Sequence, residues 1–124
     1  MKIAVVGSRS ITGYIDFTAI LPDNIDLIIS GGANGVDTLA EEYADRNDIE
    51  KLIIKPDYKR YQRRAPLIRD CEMVDLCDAV VAVWDGSSRG TAYTVKYAVK
   101  TGKPVKLMLN GEDVSHRITE LMGK

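Results

Sequence analysis

Short runs of apolar residues recur along the chain at Ile3-Ala4-Val5-Val6, Leu27-Ile28-Ile29, Leu52-Ile53-Ile54, Ala79 to Trp84 and Val105 to Leu109. Unbroken runs of this length suit strands covered on both faces, as in a parallel sheet. Between them the apolar residues fall at helical spacing. Val36, Leu39, Ala40, Tyr43 and Ala44 make the clearest stripe, with Asp37, Glu41, Glu42, Asp45 and Arg46 facing away. Leu67, Ile68, Cys71 and Val74 make a second stripe, Ala92, Val95, Ala98 and Val99 a third, and Val114, Ile118, Leu121 and Met122 a terminal one. Tyr14, Phe17 and Leu21 predict a weaker first helix.

Strands alternating with helices, without repeats or a long linker, predict one domain over residues 1–124. Its class is α/β, a Rossmann-like three-layer α/β/α open sheet of about five parallel strands. Ligands on such sheets bind beyond the carboxyl ends of the strands, near the point where strand order reverses. Candidate chemistry therefore belongs in the loops that follow strands.

Four such connections stand out. Gly7-Ser8-Arg9-Ser10-Ile11-Thr12-Gly13 offers small residues, hydroxyls and one guanidinium. It matches neither the dinucleotide GxGxxG fingerprint nor the GxxxxGK[ST] phosphate loop, and reads equally as an anion cradle or as a tight turn with a solvated arginine. Ser30-Gly31-Gly32-Ala33-Asn34-Gly35-Val36-Asp37 runs into the strongest helix, where glycines permit close approach to backbone N–H groups. Asn34 or Asp37 there is equally a helix-start residue. Asp85-Gly86-Ser87-Ser88-Arg89-Gly90-Thr91 repeats that character, and its hydroxyls and Arg89 suit a phosphate or a ribose.

Composition narrows the classes. A chain of 124 residues at 45% hydrophobic buries a sizeable core, which excludes a disordered tail or a disulfide-stapled miniprotein. The 17 basic and 18 acidic residues leave a net charge of −1, which argues against a wholesale polyelectrolyte binder. Locally the balance breaks. The window from Lys51 to Arg69, which holds the connection from Lys55 to Pro66, sets seven basic residues against Asp57 alone, a net of +6. Tyr58 and Tyr61 interleave with those charges, a mixture that pairs stacking with phosphate contact. Cys71 and Cys77 lie six apart on one helix and His116 is the sole histidine, so neither a disulfide, a zinc site nor a cofactor is expected. His116 reads as a surface residue, and Trp84 and Cys71 as core. With no apolar run long enough to span a bilayer and no leader-like segment at Met1, a cytoplasmic protein without membrane partners is expected.

Five segments, in order, resemble the SLOG superfamily, the Rossmann-like group that joins DprA-type DNA-processing proteins to the Lonely Guy (LOG) enzymes. Val6-Gly7-Ser8-Arg9 resembles its opening GSR, and Ile29 to Asp37 its SGxAxGxD segment. Ala65 to Met73 resembles the helix carrying RN or RK before a methionine, and Trp84 to Thr91 the Gly-rich GT loop. Lys55-Pro56-Asp57-Tyr58 is similar to the KPDW-like stretch of small stand-alone YspA-like members. The resemblance implies a small nucleotide-like ligand at the Gly-rich edge, with Arg69 and Arg89 as phosphate contacts. It also implies self-association as a homodimer or higher oligomer. In LOG-type phosphoribohydrolases the motif PGGxGTxxE supplies a carboxylate, and the corresponding position here is Thr94. Threonine cannot stabilise an oxocarbenium-like centre, so Arg69 and Glu72 are left as catalytic candidates, with Asp85 a further stand-in for the carboxylate.

The expected ligand-binding set is thus Gly7, Ser8, Arg9, Gly31, Gly32, Asn34, Gly35, Asp37, Arg69, Asp85, Gly86, Ser87, Ser88, Arg89, Gly90 and Thr91, with no metal. The expected function is nucleotide binding in a sensor or effector. A nucleoside 5'-monophosphate phosphoribohydrolase is the enzymatic alternative, and DprA-like single-stranded nucleic-acid binding through the basic window the third.

Overall fold

The computed structural model describes residues 1–122 as an open α/β sheet in the order β3-β2-β1-β4-β5-β6. The strands are β1 (Lys2–Gly7), β2 (Leu27–Ser30), β3 (Glu50–Ile53), β4 (Ala79–Trp84), β5 (Val105–Leu109) and β6 (Glu112–Asp113). The first five pair in parallel, as the apolar runs predict. β6, two residues long and unforeseen in the sequence, pairs antiparallel on the outer edge of β5. The helices are α1 (Phe17–Ile20), α2 (Val36–Arg46), α3 (Tyr58–Tyr61), α4 (Ala65–Leu76), α5 (Arg89–Lys100) and α6 (Ile118–Met122).

β1 shows why the runs are continuous. Ile3 and Val5 pack under α1 and α2 with Phe17, Ile28 and Val36, while Ala4 and Val6 pack on the opposite face with Met73, Val74, Val95 and Leu107. All four β1 residues are at most 5% exposed, and each large aliphatic so buried contributes about 1.5–3 kcal/mol. Trp84 is core, as expected, and its indole N–H donates to Ser88 O at 2.9 Å. His116 is exposed, also as expected.

Three expectations need correction. β3 is an edge strand with Leu52 exposed, because a strand paired on one side only is not covered on both faces. The first helix is a single turn that excludes Tyr14. Asp16 caps it by accepting from Ala19 N, and Pro22 forces Leu21 out of helical geometry. On α4 the buried residues are Ala65, Arg69, Met73 and Val74, while Leu67, Ile68 and Cys71 are only half-buried. The helix is rotated toward Arg69 because that side chain has polar partners inside.

Candidate functional site

Strand order reverses between β1 and β4, so a crevice opens beyond their carboxyl ends. A cavity of about 370 Å³ lies there. The loops after β1, β2 and β4 and the first turns of α4 and α5 enclose it. Gly7, Arg9, Asp37, Arg69, Asp85, Ser88, Gly90 and Thr91 of the expected set line it, joined by Ser10 and Asp70. A second cavity of about 260 Å³ adjoins it and shares Arg9, Ala33 and Arg69 with the first. Gly31, Gly32, Asn34, Pro56 and Tyr58 complete its wall.

Ser8 builds the junction. It is fully buried, its N–H donates to Val83 O, its carbonyl accepts from Ile11 N and Val36 N, and its hydroxyl accepts from Asp85 N at 2.9 Å. One serine thus ties β1 to the loop after β4 and to the start of α2. Gly35, at φ +77°, lies against this knot, where an added Cβ would stand 2.5 Å from Ser8 O. Ser8 and Gly35 therefore shape the cavity from behind and do not face it.

Asp85 organises the loop between β4 and α5. Its carboxylate accepts from Ser10 Oγ at 2.7 Å and from the Ser87 and Ser88 N–H groups at 2.8 Å each. The Ser10 hydroxyl first, then those two amides, hold its carboxyl well below the usual carboxylate range. Gly86, Ser87 and Arg89 are exposed and line neither cavity. Glu72 is exposed on α4 and lines neither cavity as well.

Arg69 is 5% exposed and its guanidinium is committed within the protein. Nε donates to Asp70 Oδ1 at 2.6 Å, and Nη1 donates to the carbonyl of Gly31. A Cβ on Gly31 would stand 2.6 Å from Nη1, so glycine there is what lets the arginine cross. Asp70 in turn accepts from Thr94 Oγ1 at 2.9 Å. Burial raises the Asp70 carboxyl above its ordinary value, against the pull of Arg69 and then of Thr94. Asp37, 7% exposed, is pushed up to about 6, chiefly by burial, although it accepts from Ala33 N.

The cavity is therefore not a simple anion hole. It carries the carboxyls of Asp37, Asp70 and Asp85 beside an Arg69 whose Nε and Nη1 are already engaged by Asp70 and Gly31. Arg9 is the contrast. It is exposed, faces both cavities, and its side chain makes no hydrogen bond or ion pair among the described residues. Carboxyls that accept from hydroxyls, one free guanidinium and the first turn of α5 (Ser88, Gly90, Thr91) suit a polyhydroxylated ligand that carries an anion. Asp70 and Ser10 were not anticipated from sequence. The adjacency of Asp70 to Arg69 was the available signal.

No family model matches the chain, and no curated protein matches it. Solved structures do. The DNA processing protein A (DprA) of Streptococcus pneumoniae aligns with a TM-score of 0.69 at 21% identity, over 98% of this chain and 54% of that one. The structural-genomics target TM1055 aligns with a TM-score of 0.66 at 23% identity, over 96% of this chain and 80% of that one. The chain therefore shares its Rossmann-like α/β fold with these two structures. This chain spans about half the length of the DprA structure. No helix among the described residues is long and apolar enough to cross a membrane.

Proposed function

We propose that this SLOG-like domain binds a nucleotide or nucleotide derivative in the crevice between β1 and β4. The observation that carries the reading is the 370 Å³ cavity in which three post-strand loops converge, with three carboxyls on its wall and the free Arg9 at its mouth. The carboxyls accept the ribose hydroxyls, and the phosphate lies between Arg9 and the first turn of α5. This redistributes the phosphate role from Arg69 and Arg89 to Arg9. Titration calorimetry with the common nucleoside 5'-monophosphates tests it: wild type binds at least one of them, and Arg9→Ala weakens that binding at least fivefold. Absence of binding to all, or full affinity in Arg9→Ala, overturns it. The same proposal includes kinship with the YspA-like members, resting on Lys55-Pro56-Asp57-Tyr58.

One contact favours a second reading, hydrolysis of the N-glycosidic bond of such a monophosphate. Thr94 stands where the LOG-type motif has its glutamate, and its hydroxyl donates to Asp70, so a carboxylate from α4 stands beside that position. Asp70 lines the cavity, and in its ionised form it is the carboxylate this reading assigns to an oxocarbenium-like centre. Release of free base by the purified protein supports this reading; no release from any common monophosphate that binds leaves the domain a binder only.

A further inference from the structure

The cavity beyond Arg9 has its own chemistry. Tyr58 is the first residue of α3 and is held there by the Asp57 cap on Arg60 N. It is 54% exposed, its hydroxyl makes no hydrogen bond among the described residues, and it shares a cavity wall with Pro56, Gly32 and Asn34. Asn34 is exposed and its side chain has no hydrogen-bond partner among the described residues. This cavity lacks carboxylates, whereas its neighbour has three. Lys55, Lys59, Arg60, Arg63 and Arg64 lie exposed on the same connection, and none forms an ion pair among the described residues.

A lone nucleoside monophosphate in the carboxyl-lined cavity leaves this second space unused. We propose that the second cavity is a subsite for a heteroaromatic ring stacked on Tyr58 and hydrogen-bonded by Asn34. The ligand class is then a nucleoside whose 5'-diphosphate carries a second nucleoside, with the bridging diphosphate at Arg9, the exposed cation that lines both cavities. The proposal rests on the nucleotide reading above and adds to it the second half of the ligand. A planar ring on an aromatic face gains affinity with little demand on base identity, which suits a cavity whose wall offers an exposed aromatic ring and no carboxylate. An extended nucleic acid would instead follow the row of free cations outward.

Titration calorimetry with AMP and with the 5',5'-diphosphate-linked diadenosine, repeated for the guanosine, cytidine and uridine pairs, tests this. For at least one base the dinucleoside diphosphate binds tenfold or more tightly than the monophosphate. Tyr58→Ala abolishes that gain and leaves the monophosphate affinity within twofold, while Tyr58→Phe keeps the gain. Equal affinity of the two ligands, equal weakening of both by Tyr58→Ala, or loss of the gain in Tyr58→Phe overturns the subsite while the nucleotide reading stands. Silence of every monophosphate overturns that reading as well. A single-stranded oligonucleotide that binds more tightly than any dinucleoside diphosphate, with steep salt dependence lost in an Arg60→Ala, Arg63→Ala, Arg64→Ala variant, also overturns the subsite, in favour of a nucleic-acid surface.

Discussion

The Thr94 hydroxyl lies 2.9 Å from Oδ2 of Asp70, linking the middle of α5 to the middle of α4. The same hydroxyl is 2.8 Å from the carbonyl of Gly90, one turn back on its own helix. It therefore has two acceptors and one hydrogen. With Asp70 ionised the hydrogen goes to the carboxylate; with Asp70 protonated the carboxyl donates to Thr94, whose hydrogen turns to Gly90. Both protonation states of a buried acid are thereby satisfied, which is what a carboxyl facing a ligand cavity needs if it is to stay ordered while its charge changes.

Loss of that hydroxyl carries a defined cost. Thr94 is 1% exposed, so Thr94→Val removes a buried donor without relieving crowding, and a loss of about 1–3 kcal/mol in urea unfolding is expected. Asp70→Asn strips the ion-pair partner from the buried Arg69, and a larger loss, about 3–5 kcal/mol, is expected. The order of the two midpoints is the check.

Asp37 sets a pH dependence of opposite sign to that of a salt-bridged acid. Its carboxyl is raised from 3.8 to about 6 by burial, so the folded state holds the proton more tightly than the unfolded chain. Stability from this group is present below the unfolded value and is lost as pH rises through about 6. Asp37→Asn is therefore expected to stabilise the protein above pH 7 by on the order of 2 kcal/mol, and by nearly nothing at about pH 4. Denaturant titrations at the two pH values read the difference directly.

Two glycines separate folding from binding. Gly35→Ala places a Cβ 2.5 Å from Ser8 O at φ +77°, and a destabilisation of about 2–4 kcal/mol or failure to fold is expected. Gly90→Ala meets nothing within 4 Å and sits in the first turn of α5 at the cavity wall. An unchanged or raised Tm, with nucleotide binding weakened severalfold, is expected for it.

Self-association is expected on the outer faces of the helix pair. Leu76 on α4 and Tyr93 and Val99 on α5 are 45–51% exposed, apolar area that a second copy would cover. Light scattering is expected to return at least twice the 13.7 kDa of one chain, and Tyr93→Glu to return the monomer.

Much of this architecture is legible in the sequence because β1, β2 and β4 are buried on both faces and leave continuous apolar runs. The departures come where tertiary context outweighs the local pattern. Leu52 looks like a core residue but belongs to an edge strand. Arg69 looks like a surface cation, yet α4 turns it inward because Asp70 and two carbonyls accept its protons there. The candidate loops of the site are legible as glycine-rich segments after strands. Which of their residues face the cavity is not, since Ser8 and Gly35 are consumed in the knot behind it and Asp70 enters through a partner 24 positions away.

The most direct test of a nucleotide site in the crevice between β1 and β4 is a 1H–15N titration of the protein with the nucleoside 5'-monophosphate that binds best. The expected result is that the shifted amides cluster at Gly7–Ser10, Ala33–Gly35 and Ser87–Thr91, the segments that form the cavity and the turns behind it. Shifts confined to the groove of Ile15, Ala19, Met108 and Asn110 on the far side of β4 and β5, or no shifts at saturating ligand, would contradict it.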